Sequence, residues 1–112
     1  MLVNRDTASA AEITTGALKD HDRATIVGTR TYGKGVFQEI VQLRNGGALD
    51  FTVGEYFTPN GTNLGAPGVR NGHTVARGPG IKPQVYVAEP PHSHVDTQLR
   101  AAEKTVVAKL HQ

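Results

Sequence analysis

Within its first 28 residues this chain must form an extended apolar run, a helix and a second extended apolar run. Leu2 to Asn4 reads as the end of a buried strand and Arg5 to Ala8 as a turn. Ser9-x-x-Glu12 matches a capping box, and Ala10, Ile13, Ala17 and Leu18 supply an apolar helical face behind it. The helix is expected to end near Asp20. Thr25-Ile26-Val27 follows as a β-branched strand within Ala24 to Gly28. A helix between two strands allows the crossover that a parallel pair needs. The fold class is therefore α+β (α/β). Gly16 costs the helix about 1 kcal/mol relative to alanine, which points to close packing at that position.

Past Gly28 the pattern changes. Thr29 to Gly35 is a glycine-rich turn. Val36 to Leu43 alternates, with Phe37, Glu39, Val41 and Leu43 as the more apolar side. Asn45-Gly46-Gly47 is a hairpin signal. The return strand is Ala48 to Thr58, with a bulge expected at Gly54, and Pro59-Asn60-Gly61 makes another turn. Residues 63–79 form a long glycine-rich loop, expected to be flexible. Gly80-Ile81-Lys82-Pro83-Gln84 leads into a short strand, Val85-Tyr86-Val87, placed at a sheet edge by Pro83. Pro90-Pro91 is a rigid break. Val95, Leu99, Ala102, Val106 and Leu110 follow helical spacing, so a C-terminal amphipathic helix is predicted over Val95 to His111.

Composition narrows the chemistry. At 112 residues the chain fits one domain, and with 5% aromatics and no Trp its core must come from Val, Ile, Leu and Ala. The net charge of +2 rests on Lys and Arg that are scattered and not interleaved with aromatics, so no nucleic-acid function is indicated. Having no cysteine, the chain can hold neither a disulfide framework nor a thiolate metal site. The five histidines, 21, 73, 92, 94 and 111, lack metal-site spacing; His92-x-His94 comes nearest. No metal and no cofactor is expected. With no charged-then-apolar start and no apolar run near 18 residues in the sequence, neither a signal peptide nor a membrane span is expected within these residues. Met1 meets Leu2-Val3 at once, a strand already in progress, which reads as a piece of a longer chain.

Five residues could carry chemistry. Ser9 is either the N-cap of a helix or a nucleophile at a helix N-terminus, where the Ala10 backbone N–H would face an oxyanion. Lys34 lies between Gly33 and Gly35 and is either a solvated turn lysine or a general base for Ser9. A lysine base must be neutral, which desolvation or a neighbouring cation can bring about. Gln38 could orient Lys34, although in an ideal strand their Cα atoms stand roughly 13 Å apart, so a kink at Gly35 or a curled lysine is required. Asp20 is a surface residue at the helix end or a supporting one. Phosphate binding by Gly33-Lys34-Gly35 is the weakest reading, since the glycine loop and following hydroxyl of a P-loop are missing.

Together these residues resemble the C-terminal processing peptidases, or tail-specific proteases, of the serine-lysine type. The resemblance rests on Thr7-Ala8-Ser9-Ala10-Ala11-Glu12-Ile13, Asp20, Arg23-Ala24-Thr25-Ile26-Val27-Gly28 and Thr31-Tyr32-Gly33-Lys34-Gly35-Val36-Phe37-Gln38. Lys34 falls 25 positions after Ser9 and Gln38 four after Lys34, as in that family. Leu49 to Thr58 with Pro59-Asn60-Gly61, Gly80-Ile81-Lys82-Pro83 and the segment from Asp96 to Ala102 extend it. The resemblance implies Ser9 as nucleophile, Lys34 as base, Gln38 as its orienting partner, Ala10 N–H in the oxyanion hole and Asp20 in support. It implies the C-terminal part of a crotonase/ClpP-like β-α-β protease core, with a mixed sheet, a hairpin and a C-terminal helix. Its substrates would be proteins or peptides engaged through their C-terminal tails, outside the cytoplasm. A PDZ domain and a glycine-containing strand that completes the oxyanion hole would lie upstream, so the chain alone is expected to be weakly active or inactive. Missing strands would leave an open sheet edge and a route to self-association. The alternative is a ligand-binding module of the same fold, as in the related retinoid-binding repeats. Two features depart from the pattern: residues 63–79 are longer than the usual link, and Gln84 stands where an acid is customary.

Overall fold

The β-branched and apolar residues at the start of the chain form the parallel arrangement their spacing predicts. In the computed structural model, which describes residues 1–65, 68–70, 73–75, 78–89 and 94–111, β1 (Leu2–Val3) and β2 (Val27–Gly28) pair in parallel across α1 (Ala10–Asp20). The next two strands, β3 (Val36–Gln42) and β4 (Ala48–Glu55), form an antiparallel hairpin. β5 (Gly68–Arg70) and β6 (His73–Val75) form a second one. β7 (Val85–Tyr86) then adds in parallel to β2, and α2 (Thr97–Leu110) ends the fold. The parallel sheet has the order β1-β2-β7.

This α/β mixture differs from the single mixed sheet expected. The parallel and antiparallel strands form separate sheets, because β3 and β4 spend their hydrogen bonds on each other. Within the 63–79 segment, expected to be a long flexible loop, β5 and β6 pair. Pro90, Pro91 and His92 lie outside the described residues.

The core is small and aliphatic, with Val3, Ile26, Val27, Val36, Leu64 and Ile81 all buried. β2 is its centre: Ile26 and Val27 are fully buried, and β2 has a parallel neighbour on each side. The Ile26 amide, just before β2, donates to Oε1 of Gln84 at 2.8 Å. The amide oxygen of Gln84 thus does the acceptor's work at the position where an acid is customary.

α1 buries a different face from the apolar one predicted. Glu12, Thr15 and Gly16 point inward, while Ala10 is exposed and Ile13, Ala17 and Leu18 are half-buried. Close packing explains the choice, because a Cβ on Gly16 would press into the Thr58 side chain and meet Ile81. Only a residue without a side chain fits between them. α2 starts two residues later than predicted. The Asp96 side chain accepts from the Leu99 amide at 2.8 Å and fixes the N-cap there. Its contact with the sheet runs through the buried Gln98, whose Nε2 donates to the Val87 carbonyl at 2.9 Å. Of the predicted stripe, Val95, Leu99, Val106 and Leu110 are exposed and Ala102 is half-buried.

The first hairpin turns where Asn45-Gly46-Gly47 indicates, with Leu43 N–H on the Gly47 carbonyl at 2.8 Å. Its register shifts between Phe37 and Gln38, opposite Gly54 and Thr52, so the bulge falls beside Gly54. Phe37 covers Gly54 and stacks tilted against Tyr56, ring centroids 5.1 Å apart. The return strand stops at Glu55, earlier than predicted, because Tyr56 N–H turns to the Gly35 carbonyl. Three backbone passes cross at this point. Gly35 N–H donates to the Gly65 carbonyl at 2.6 Å, and Gly78 N–H to the Gly33 carbonyl at 2.8 Å. Gly65 and Gly78 approach so closely that neither has room for a Cβ. No helix among the described residues is long and apolar enough to cross a membrane.

Candidate active site

Ser9 sits at the N-cap of α1 with φ 53° and ψ −121°. Serine rarely adopts positive φ, and such strain costs about 1–3 kcal/mol unless the surroundings hold it. The turn that brings the chain from β1 into α1 forces this conformation. Thr7 N–H closes on the Asn4 carbonyl at 3.0 Å, and Ala11 N–H on Ala8 at 3.1 Å. Ser9 N–H donates to Oε2 of Glu12 at 3.1 Å, which is the Glu12 arm of the predicted capping box. The Ser9 side chain takes the capping-box position toward the Glu12 amide without closing a cap hydrogen bond of its own. The Ala10 amide, first in the helix, donates to no acceptor among the described residues.

Glu12 is the residue that sequence reasoning undervalued. It is fully buried, and its carboxylate accepts four hydrogen bonds. Oε2 takes Ser9 N–H at 3.1 Å and Lys34 N–H at 2.8 Å. Oε1 takes Gly33 N–H at 2.7 Å and the Thr31 hydroxyl. Thr31, also buried, accepts the Ile81 amide on the same hydroxyl at 2.7 Å. Tyr32 N–H adds a bond to the Thr7 carbonyl at 2.9 Å. The glycine-rich turn therefore lies along the Ser9 turn, and the backbone nitrogens of Ser9 and Lys34 stand no farther apart than 3.1 Å plus 2.8 Å. The signal for this was present in the sequence: Glu12, Thr15 and Gly16 share the i, i+3, i+4 spacing of one helix face. That face is small and polar, so a search for apolar periodicity passes over it.

Lys34 is half-buried, and its side chain makes no hydrogen bond among the described residues. Gln38 lies beyond the β-bulge on the exposed hairpin, where its Nε2 donates to the Thr52 hydroxyl at 3.3 Å. The two side chains are not hydrogen-bonded to each other in this arrangement. Ser9, Ala10 and Lys34 come together, and Gln38 stands apart.

Asp20 is at the far end of α1, about 15 Å of helix from Ser9. Its carboxylate receives the Thr58 hydroxyl and the Asn60 amide, the latter at 3.0 Å. Those bonds, the Thr58 hydroxyl first, hold its pKa below the usual 3.8. A depressed carboxylate adds stability that is present above pH 3.8 and is lost as pH falls through the folded value. Asp20→Asn is therefore expected to flatten the acid limb of a stability–pH profile below that point. An unchanged limb in urea titrations would refute this.

No group of three or more His, Asp or Glu among the described residues could hold a metal ion. The arrangement offers a hydroxyl, an amine, a buried carboxylate and a free helix-terminal amide, a set suited to nucleophilic acyl chemistry.

Comparison with known proteins places these residues in a larger context. The family description "Peptidase family S41" matches residues 1–86. A carboxy-terminal-processing protease of Bartonella bacilliformis is 43% identical over 90 residues, covering 80% of this chain and 18% of the relative. A chloroplastic carboxyl-terminal-processing peptidase of Arabidopsis thaliana is 45% identical over 69 residues, covering 62% of this chain and 14% of the relative. Among solved structures, a photosystem II D1 C-terminal processing protease superposes with a TM-score of 0.65 at 40% identity, covering 78% of this chain and 19% of that one. The chain thus spans less than a fifth of the length of these relatives.

Proposed function

The chain belongs to peptidase family S41, and from that premise we propose that it carries the reacting groups of a serine endopeptidase that cuts proteins near their C-termini. Ser9 Oγ attacks the scissile carbonyl carbon while Lys34 Nζ takes the hydroxyl proton. The oxyanion of the tetrahedral intermediate is received by the Ala10 amide. Collapse expels the amine, which takes its proton from Lys34, and leaves an ester on Ser9. Water, deprotonated by Lys34, then hydrolyses that ester. Gln38 orients Lys34 in this scheme, which requires it to leave Thr52. Asp20 supports the site from a distance by pinning the Thr58–Asn60 turn to α1.

The observation that carries this reading is the shared oxygen of Glu12, which accepts the backbone amides of both Ser9 and Lys34. Residues 25 positions apart are thereby brought side by side, and Ser9 is held in a strained conformation of the kind found at reactive sites. The resemblance further supports a crotonase/ClpP-like core and an extracytoplasmic setting for the whole protein.

A fluorophosphonate probe tests it. In the protein that carries this chain, labelling is expected at Ser9 and is expected to vanish in Ser9→Ala. Labelling that survives the substitution would place the nucleophile elsewhere. Absent labelling together with tight apolar-ligand binding would favour the non-catalytic module.

A further inference from the structure

We propose that Glu12 is a positioning residue of this site: its buried carboxylate sets the relative placement of nucleophile and base through their backbones, and ties both to the Gly80-Ile81-Lys82-Pro83 segment. The inference rests on the Ser9–Lys34 reading above. It goes beyond that reading by giving a role to a residue that touches neither substrate nor reacting atom.

Three observations carry it. First, Glu12 is fully buried, and every partner it has is a donor: two from the nucleophile and base amides on Oε2, two from Gly33 and Thr31 on Oε1. An acceptor-only group with four donors matches a carboxylate and no neutral side chain. Second, the groups it fixes are those whose geometry matters most. Ser9 has positive φ, and its amide bond to Oε2 is the restraint acting on its N-terminal side. Lys34 has no side-chain hydrogen bond among the described residues, so its backbone placement decides where the amine can reach. Third, the network continues. The Thr31 hydroxyl donates to Oε1 and accepts from Ile81 N–H, and the Thr31 amide donates to the Ile81 carbonyl at 3.1 Å. A segment far along the chain is thereby attached to the carboxylate that holds the reactive pair.

Glu12→Gln separates this role from simple stability. Glutamine has the same shape, but its NH2 must face either the Ser9 and Lys34 amides or the Gly33 amide and the Thr31 hydroxyl. At least one backbone N–H then meets another donor and has to move. A misplacement of about 1 Å at a reacting group can cost on the order of 100-fold in rate. In the protein that carries this chain, Glu12→Gln is expected to lower both kcat on an unstructured peptide and the rate of fluorophosphonate labelling by about 100-fold. KM and the peptide-binding constant are expected to stay near wild type, in a protein that still melts cooperatively. A purely structural Glu12 would instead lower the melting temperature and leave kcat per folded molecule unchanged. Wild-type labelling of Glu12→Gln, with Ser9→Ala unlabelled, overturns the positioning role and spares the Ser9 reading. Labelling of Ser9→Ala at the wild-type rate overturns both. Should Glu12→Gln fail to fold, Thr31→Val is read in its place, since it removes one donor and keeps the carboxylate. A smaller fall in kcat at constant KM supports the proposal, and a wild-type kcat overturns it.

Discussion

In the protein that carries this chain, exchanging Lys34 for arginine is expected to abolish the proposed peptide cleavage while leaving the fold intact. Arginine keeps the positive charge, the stem length and the donors, so anything that needs only a cation at this point survives. What it cannot do is accept a proton, because the guanidinium stays charged at any working pH. Loss of one member of a catalytic set that acts as a unit typically costs about 10⁴-fold or more in kcat. Lys34 is half-buried above a backbone fixed by Glu12, so the larger head group has room to reach solvent. Steady-state cleavage of a fluorogenic peptide, with circular dichroism as the folding control, reads the result. Retention of more than a tenth of wild-type kcat would remove Lys34 from the role of base. It would revive the reading in which Gly33-Lys34-Gly35 only attracts an anion.

The largest stability effect is expected at Gly28, in the central strand. Its φ of 130° is one that side chains rarely adopt, and a Cβ there would fall on the carbonyl oxygen of Val3 in β1. That carbonyl also accepts the Thr29 amide at 3.1 Å, while the Gly28 carbonyl holds Val87 N–H at 2.9 Å. Gly28→Ala therefore pushes β1 off β2 and disturbs β7 with it. The obstruction is backbone and cannot be relieved by a rotamer change. A loss of about 3 kcal/mol follows, or a fall in melting temperature on the order of 10 °C. A variant that melted with the parent would mean that β1 and β2 do not pair as described.

Much of this fold was legible because its signals were local. The parallel β1–β2 pair followed from a capped helix set between apolar runs, and the first hairpin from Asn45-Gly46-Gly47 and the alternation around it. The bulge beside Gly54 was legible because glycine in a strand has few other uses. What the sequence hid was of another kind. The buried face of α1 is Glu12, Thr15 and Gly16, and no hydropathy rule assigns a glutamate to the inside. Only the four donors that converge on it, one from its own helix cap and three from residues 31–34, offset the cost of its burial. The opposite error occurred in α2, where Leu99, Val106 and Leu110 keep perfect helical spacing and yet stay exposed. Periodicity states which residues share a face and says nothing of whether that face has a partner. For Gln38 the limit is geometric: an extended strand carries it away from Lys34, and the spacing alone cannot report which way a bulged strand aims its side chains.

The glycine crossing at residues 33, 35, 65 and 78 bears on how this lineage tolerates insertions. The two ends of the intervening segment are fastened to points only two residues apart, Gly65 to Gly35 and Gly78 to Gly33. A loop whose ends are already clamped adds length at little expense, since doubling it costs only about 0.6 kcal/mol of closure entropy. The link here can therefore lengthen without shifting Ile81, whose amide must still reach Thr31. Extra residues between the clamps are nearly free, whereas a single extra residue within 31–34 would pull Lys34 off Glu12.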